Sequence, residues 1–145
     1  MPVFVDTNVL IYYLDPTDLT KQQASRLWLA ELWSNRQGRV SYQVLQEFYS
    51  VGTQKWPALK AEIQKEIKEL FDWQPVVIKR QIVEDGWQIQ GRYRISFWDS
   101  LIVSAAKAAS CRYLLTEDLQ EGQEMDGVVV VNPFRRGLGE ISSLE

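Results

Sequence analysis

The first apolar run of the chain, Val3-Phe4-Val5, ends on Asp6 and passes directly into Thr7-Asn8-Val9-Leu10-Ile11-Tyr12-Tyr13-Leu14. A short buried strand over residues 2–6 therefore hands over to a helix over residues 7–14 at a carboxylate, with the Thr7 or Asn8 side chain available to cap the first turn. An ionised acid among apolar neighbours is unfavourable unless it is paired, hydrogen-bonded or bound to a cation. The carboxyl edge of a sheet is also where open α/β folds place their sites. Asp6 thus calls for a partner.

Further along, Asp15-Pro16-Thr17-Asp18 breaks the first helix, and Ala24, Leu27, Trp28, Leu32 and Trp33 recur at helical spacing from residue 19 to about 37, where Gly38 ends the run. Ser41 opens a helix from 42 to about 55. Pro57 opens another through Leu70 with Leu59, Ile63, Ile67 and Leu70 on its inner stripe, and the two form a hairpin. Pro75-Val76-Val77-Ile78 reads as a strand, residues 79 to about 92 and 97–109 as helices, and Arg112 to Thr116 as a second buried strand. The Asp126-Gly127 turn leads to a third strand, Val128 to Val131, closed by Asn132-Pro133. Strands alternating with helices predict an α/β fold, a mainly parallel central sheet wrapped by helices.

At 145 residues, with 46% apolar and 24% charged positions, the pattern fits one domain over residues 1–134 and a polar C-terminal tail over 135–145. The closing Leu144-Glu145 has the character of an expression remnant. No apolar run approaches the roughly 20 residues that span a bilayer, and the N-terminus has no secretory pattern. A soluble, cytoplasmic protein is expected, with no membrane partner. Cys111 is the one cysteine, which excludes an intrachain disulfide and a thiolate zinc cluster, and it is expected to be buried and inert.

The chain has no histidine. That removes imidazole-assisted serine and cysteine nucleophiles, metal-independent ribonuclease chemistry and most zinc sites. A net charge of -3 gives no overall attraction for nucleic acid, so phosphate binding would have to be local. Arg92 and Arg94, just before Asp99, are the leading candidates, with Lys55, Arg39, Arg135 and Arg136 behind them.

Most of the 19 acids lie on polar stretches and read as solvated. Four do not. Glu47 shares a helix face with Val44 and Val51, and Asp99 shares one with Ile102, Val103 and Ala106. Asp118 ends the second buried strand as Asp6 ends the first. Each has an ordinary explanation: Ser96-Phe97-Trp98-Asp99 matches a capping box, and Asp118 could cap the segment at Leu119, with Glu117 beside it as an alternative. Together, four carboxylates at one sheet edge would repel by several kcal/mol in a partly desolvated cleft. Hard oxygen donors without His or Cys select magnesium or manganese.

Val5-Asp6-Thr7-Asn8-Val9-Leu10-Ile11-Tyr12, Val44-Leu45-Gln46-Glu47-Phe48, Phe97-Trp98-Asp99-Ser100-Leu101-Ile102 and Leu115-Thr116-Glu117-Asp118-Leu119, in this order and followed by Asn132-Pro133-Phe134, resemble the PIN-domain ribonucleases, especially the small VapC-type toxins. The resemblance covers nearly the whole chain. It implies a three-layer α/β/α sandwich and an endoribonuclease dependent on Mg2+ or Mn2+, with Asp6, Glu47, Asp99 and Asp118 as catalytic and metal-binding residues. Asp6 and Asp99 would be the firmest ligands, Asp118 would bind a second metal or a bridging water, and Glu47 would bind or orient water. Thr7, Asn8 and Thr116 would hold those carboxylates in place. The products implied are a 5′-phosphate and a 3′-hydroxyl. An RNA substrate, a cognate antitoxin and a homodimer are the implied partners.

Trp28, Trp33, Trp73 and Trp98 fall on or near apolar stripes and read as core or interface rather than as base-stacking residues. Trp28, Trp33, Phe48, Tyr49 and Trp56 suggest a non-polar surface for a partner. Two other classes compete. A non-catalytic PIN-like module would keep the acids as scaffolding. An aspartyl-phosphate phosphatase or receiver domain also ends a strand on aspartate, but Asp6-Thr7-Asn8 lacks the second aspartate of the phosphatase motif, and the late lysine of a receiver is missing.

Overall fold

β1 (Val3–Val5) is buried at all three positions and continues without a loop into α1 (Thr7–Leu14), whose N-cap is Asp6 itself. The remaining elements are α2 (Leu19–Ser34), β2 (Gly38–Arg39), α3 (Tyr42–Lys55), α4 (Lys60–Leu70), α5 (Arg80–Tyr93), α6 (Phe97–Ala108), β3 (Tyr113–Leu115), β4 (Glu124–Met125) and β5 (Val128–Val131). The structure, a computed structural model, describes residues 1–137 and 139–140. Most of the expected 135–145 tail, including Leu144-Glu145, lies outside the described residues.

The sheet runs in the order β2-β1-β3-β5-β4, parallel except for β4, which is antiparallel to β5. Val5 pairs with Leu115 and Leu115 with Val131, so the three central strands end level. The ladder runs one residue further, from the Asp6 N–H to the Leu115 carbonyl and from the Thr116 N–H to the Val131 carbonyl, each at 3.0 Å. This register fixes Asp6 and Thr116 side by side at the carboxyl edge. Helices α1 to α4 pack on one another, while α5 and α6 pair and α6 lies against β3 and β5, giving the predicted α/β/α sandwich. No helix among the described residues is long and apolar enough to cross a membrane.

Four local expectations are corrected. Pro75 to Ile78 is not a strand. It follows Gln74 in the left-handed region (φ 53°) and makes only an isolated parallel bridge, Ser41 to Val76, because Pro75 cannot donate and the Lys79 N–H turns back to the Val77 carbonyl. α2 ends at Ser34 rather than at about residue 37, since Arg36 takes the left-handed turn (φ 59°). Gly38 instead belongs to β2, where the Trp73 ring would lie 2.5 Å from an added Cβ. The helix expected from Pro57 begins as a 3-10 turn, Pro57–Leu59, before α4.

The aromatic cluster on the early helices also divides differently. Trp28 and Phe48 are core residues, and Tyr49 and Trp56 pack partly buried against the core. Trp33 is exposed on one side and lies 5.1 Å from buried Trp73. The Trp28 indole N–H donates to the carbonyls of Pro133 and Arg136, both at 3.2 Å, which ties the chain after β5 to α2. Trp98 is not core: it is 63% exposed. Cys111 is buried, and burial pushes its thiol up to about 12, consistent with an inert side chain.

Candidate active site

Two strand ends and two helices bring the selected acids toward one edge. Asp6 leaves β1, Asp118 follows β3, Glu47 lies one turn into α3 and Asp99 in the first turn of α6. Ser41 caps α3 by accepting the Val44 N–H, and Ser96 caps α6 by accepting the Asp99 N–H at 3.1 Å. These caps set where Glu47 and Asp99 enter. The capping-box explanation of Asp99 is half met, since Ser96 caps the helix while the acid is left half-buried within electrostatic reach of Asp118 and Glu47.

Asp6 is only 5% exposed. One carboxylate oxygen accepts the Thr7 N–H at 2.7 Å; the other accepts the Thr116 hydroxyl at 2.8 Å and the Asn8 amide at 3.3 Å. Burial pushes its pKa from an ordinary 3.8 up to about 7, opposed by the Thr116 and Thr7 hydrogen bonds and assisted by the nearby charges of Asp118 and Asp99. Asp99 is raised as well, by burial first and then by Asp118 and Glu47, against a lowering hydrogen bond from Ser96. The carboxylates therefore sense one another.

Thr7, Asn8 and Thr116 connect these acids. The Thr7 hydroxyl donates to Glu47 at 3.0 Å, and the Asn8 amide nitrogen reaches Thr116 at 2.9 Å and Asp118 at 3.1 Å. The choice between Glu117 and Asp118 is geometric. Glu117 turns to Lys21, 2.7 Å away, and its backbone N–H donates to Asn8, whereas the Asp118 carboxylate joins the Asn8 network. Gln43, which the sequence reading passed over, lies one helical turn before Glu47 and donates to it at 3.1 Å and to the Trp98 carbonyl at 3.3 Å. The i to i+4 spacing on α3 is the signal that could have found it.

Of the basic candidates, Arg92 pairs with Asp126, at the turn entering β5 and so at the opposite end of the strands from Asp118. Arg94 is exposed and without an ion pair among the described residues. Arg39 bonds backbone carbonyls at residues 36 and 38, Lys55 lies over the Trp56 ring, and Arg136 pairs with Glu121.

Among the described residues no group of three or more acidic or cysteine side chains is gathered tightly enough to hold a metal ion. The donor set nonetheless fits a hard divalent cation. It is all oxygen, two of its members are raised by burial and by mutual repulsion, and a cation would relieve both.

Fold and site together define a parallel α/β domain with an acidic centre at the carboxyl ends of its central strands. The chain belongs to the PIN domain family, whose model matches residues 3–121. Among solved structures it resembles a toxin-antitoxin complex from Klebsiella pneumoniae, at 23% identity over 92% of this chain and 98% of that one, with a TM-score of 0.63. It also resembles VapBC2 from Rickettsia felis bound to a promoter DNA fragment, at 18% identity over 91% and 98% of the two chains, with a TM-score of 0.62. A third, the VapC20 toxin of Mycobacterium tuberculosis, which cleaves the sarcin-ricin loop, aligns at 15% identity over 77% and 86%, with a TM-score of 0.61. At these identities the likeness is one of fold. No curated protein matches the chain significantly.

Proposed function

We propose that this PIN domain is an Mg2+- or Mn2+-dependent endoribonuclease acting as the toxin of a type II toxin-antitoxin pair. The observation that carries the reading is the shared network in which Asn8 joins Asp6, Thr116 and Asp118 while Thr7 holds Glu47, with Asp6 raised to about 7 by burial and by its acid neighbours. Asp6, Asp99 and Asp118 would hold the cation, with Glu47 at the outer side. When bound, it would lower the pKa of an attacking water and neutralise charge on the phosphodiester.

The protein's own part is positioning. Thr116 and the Thr7 N–H fix both oxygens of Asp6, Asn8 orients Asp118, and Thr7 with Gln43 fixes both oxygens of Glu47. Side chains held in this way need little reorganisation when substrate binds. Arg94 is the freer candidate for a phosphate contact, Arg92 being engaged by Asp126. An antitoxin partner and a homodimer belong to the same reading, supported by the fold shared with VapBC toxins. So does a domain ending near residue 134.

The test is cleavage of structured RNA by the purified, antitoxin-free chain with magnesium or manganese, against EDTA and against Asp6→Asn and Asp99→Asn. Metal-dependent cleavage abolished by both changes supports the proposal. No cleavage, or cleavage indifferent to both, overturns it in favour of a non-catalytic interaction module.

A further inference from the structure

Trp98 precedes Asp99, yet its side chain is the most exposed tryptophan of the chain at 63%, in a position the periodicity assigns to an apolar stripe. Singly exposed aromatics are common, and Trp98 stands out because its indole adjoins a groove that leads toward the acidic centre. A cavity of about 590 Å³ lies next to it, lined by Tyr42, Gln43, Gln46, Val77, Trp98 and Leu101. A second opening lined by Gln43, Gln46, Glu47, Ser50 and Trp98 carries the same surface on to Glu47. The groove therefore reaches Glu47, one of the four acids. Its lining is aromatic, aliphatic, amide and hydroxyl, with Glu47 the one charged residue.

Gln43 supplies a second, independent feature. It is 9% exposed, and its nitrogen is committed to two acceptors, the Glu47 carboxylate and the Trp98 carbonyl. Those acceptors settle the orientation of the amide, which leaves Oε1 as a buried acceptor with no hydrogen-bond partner. The same bond to the Trp98 carbonyl fixes the backbone that carries the indole. Lys79, next in the chain after Ile78 of the cavity wall, is exposed and has no ion pair among the described residues.

We infer that Trp98 and the groove it shares with Gln43 form a subsite for one unpaired RNA base flanking the cleaved phosphodiester. The inference rests on the nuclease reading of the acids. An unpaired base offers a flat face to the indole and a polar edge to the amide side chains, Gln43 and Gln46, that line the groove, and Lys79 is placed to offset backbone charge. Stacking on one aromatic ring tolerates different bases, so any preference at this position would come from the amide side chains beside the indole. Tyr42, partly exposed and lining the same cavity, bounds the subsite on α3.

The experiment measures binding of a fluorescein-labelled, unstructured RNA oligonucleotide in EDTA, by anisotropy, for wild type, Trp98→Ala, Trp98→Phe and Gln43→Leu. Cleavage of the same RNA with magnesium and thermal melts of each variant run beside it. An abasic residue is moved along the oligonucleotide. The subsite predicts a loss of affinity of about tenfold for Trp98→Ala, recovery of most of it in Trp98→Phe, and unchanged melts. One abasic position should cost wild type a similar factor and cost Trp98→Ala little further. Wild type that binds and cleaves, with Trp98→Ala equal to it in both, overturns the subsite alone and assigns the indole to a protein interface. Wild type that neither binds nor cleaves RNA overturns both the nuclease reading and the subsite.

Discussion

The Thr116 hydroxyl donates to the buried Asp6 carboxylate at 2.8 Å, joining residues 110 positions apart at the ends of two adjacent parallel strands. Thr116 also accepts the Asn8 amide and the Asp118 backbone N–H, so one hydroxyl sets the geometry of both acids. Thr116→Val keeps the shape and removes the donor. Metal affinity measured by calorimetry and metal-dependent cleavage should each fall about 10- to 100-fold with the fold retained. Wild-type values in both would separate Thr116 from the site.

Asp6 predicts a pH dependence of stability in protein freed of divalent metal. Its folded pKa of about 7 lies above the ordinary 3.8, so the folded state binds the proton more tightly. The resulting stabilisation is complete below pH about 4 and disappears as pH rises through about 7. The shift corresponds to roughly 4 kcal/mol at most. Thermal midpoints should therefore fall by several degrees between pH 5 and pH 8, and Asp6→Asn should flatten that slope. Asp99, raised in the same direction, adds to it, so Asp99→Asn should leave the fold intact and reduce the slope further.

Glu117 and Asp118 are neighbours with different partners, Lys21 for the first and Asn8 for the second. Glu117→Gln should retain cleavage within about threefold and change stability by less than ~1 kcal/mol, because its ion pair is partly exposed. Asp118→Asn should lower cleavage about 100-fold. Single-turnover rates on one RNA compare the two, and the reverse order would move the ligand to Glu117.

Gly38 is held to glycine by the Trp73 indole, three of whose ring atoms would lie within 2.6 Å of an added Cβ. Gly38→Ala should destabilise by about 1–3 kcal/mol in chemical denaturation, as overpacking does. Asp6, the first of the acids proposed to hold the metal, lies at the other end of β1, so cleavage below the melting range should be preserved.

The four acids were legible because each broke a pattern: Asp6 and Asp118 close apolar strands, and Glu47 and Asp99 interrupt apolar helix faces. Elements without a period to read were not. β2 and β4 have two residues each, too few for alternation, while Pro75 to Ile78 has strand composition but meets only the start of α3. Trp98 sits on an apolar stripe by spacing, and only its position at the start of α6 leaves it in solvent.

The sequence by itself determined the α/β class, the main helices, the three central strands and the residue types available for chemistry, because these follow from local periodicity and composition. Tertiary structure decided what depends on distant partners. Parallel register placed Thr116 against Asp6, Lys21 drew the Glu117 side chain away from Asp118, and Asp126 took Arg92 to the other end of the sheet. Gln43 became part of the site for the same reason. Its bond to Glu47 follows the helical i to i+4 spacing, but its bond to the Trp98 carbonyl, 55 residues away, is one no local pattern encodes.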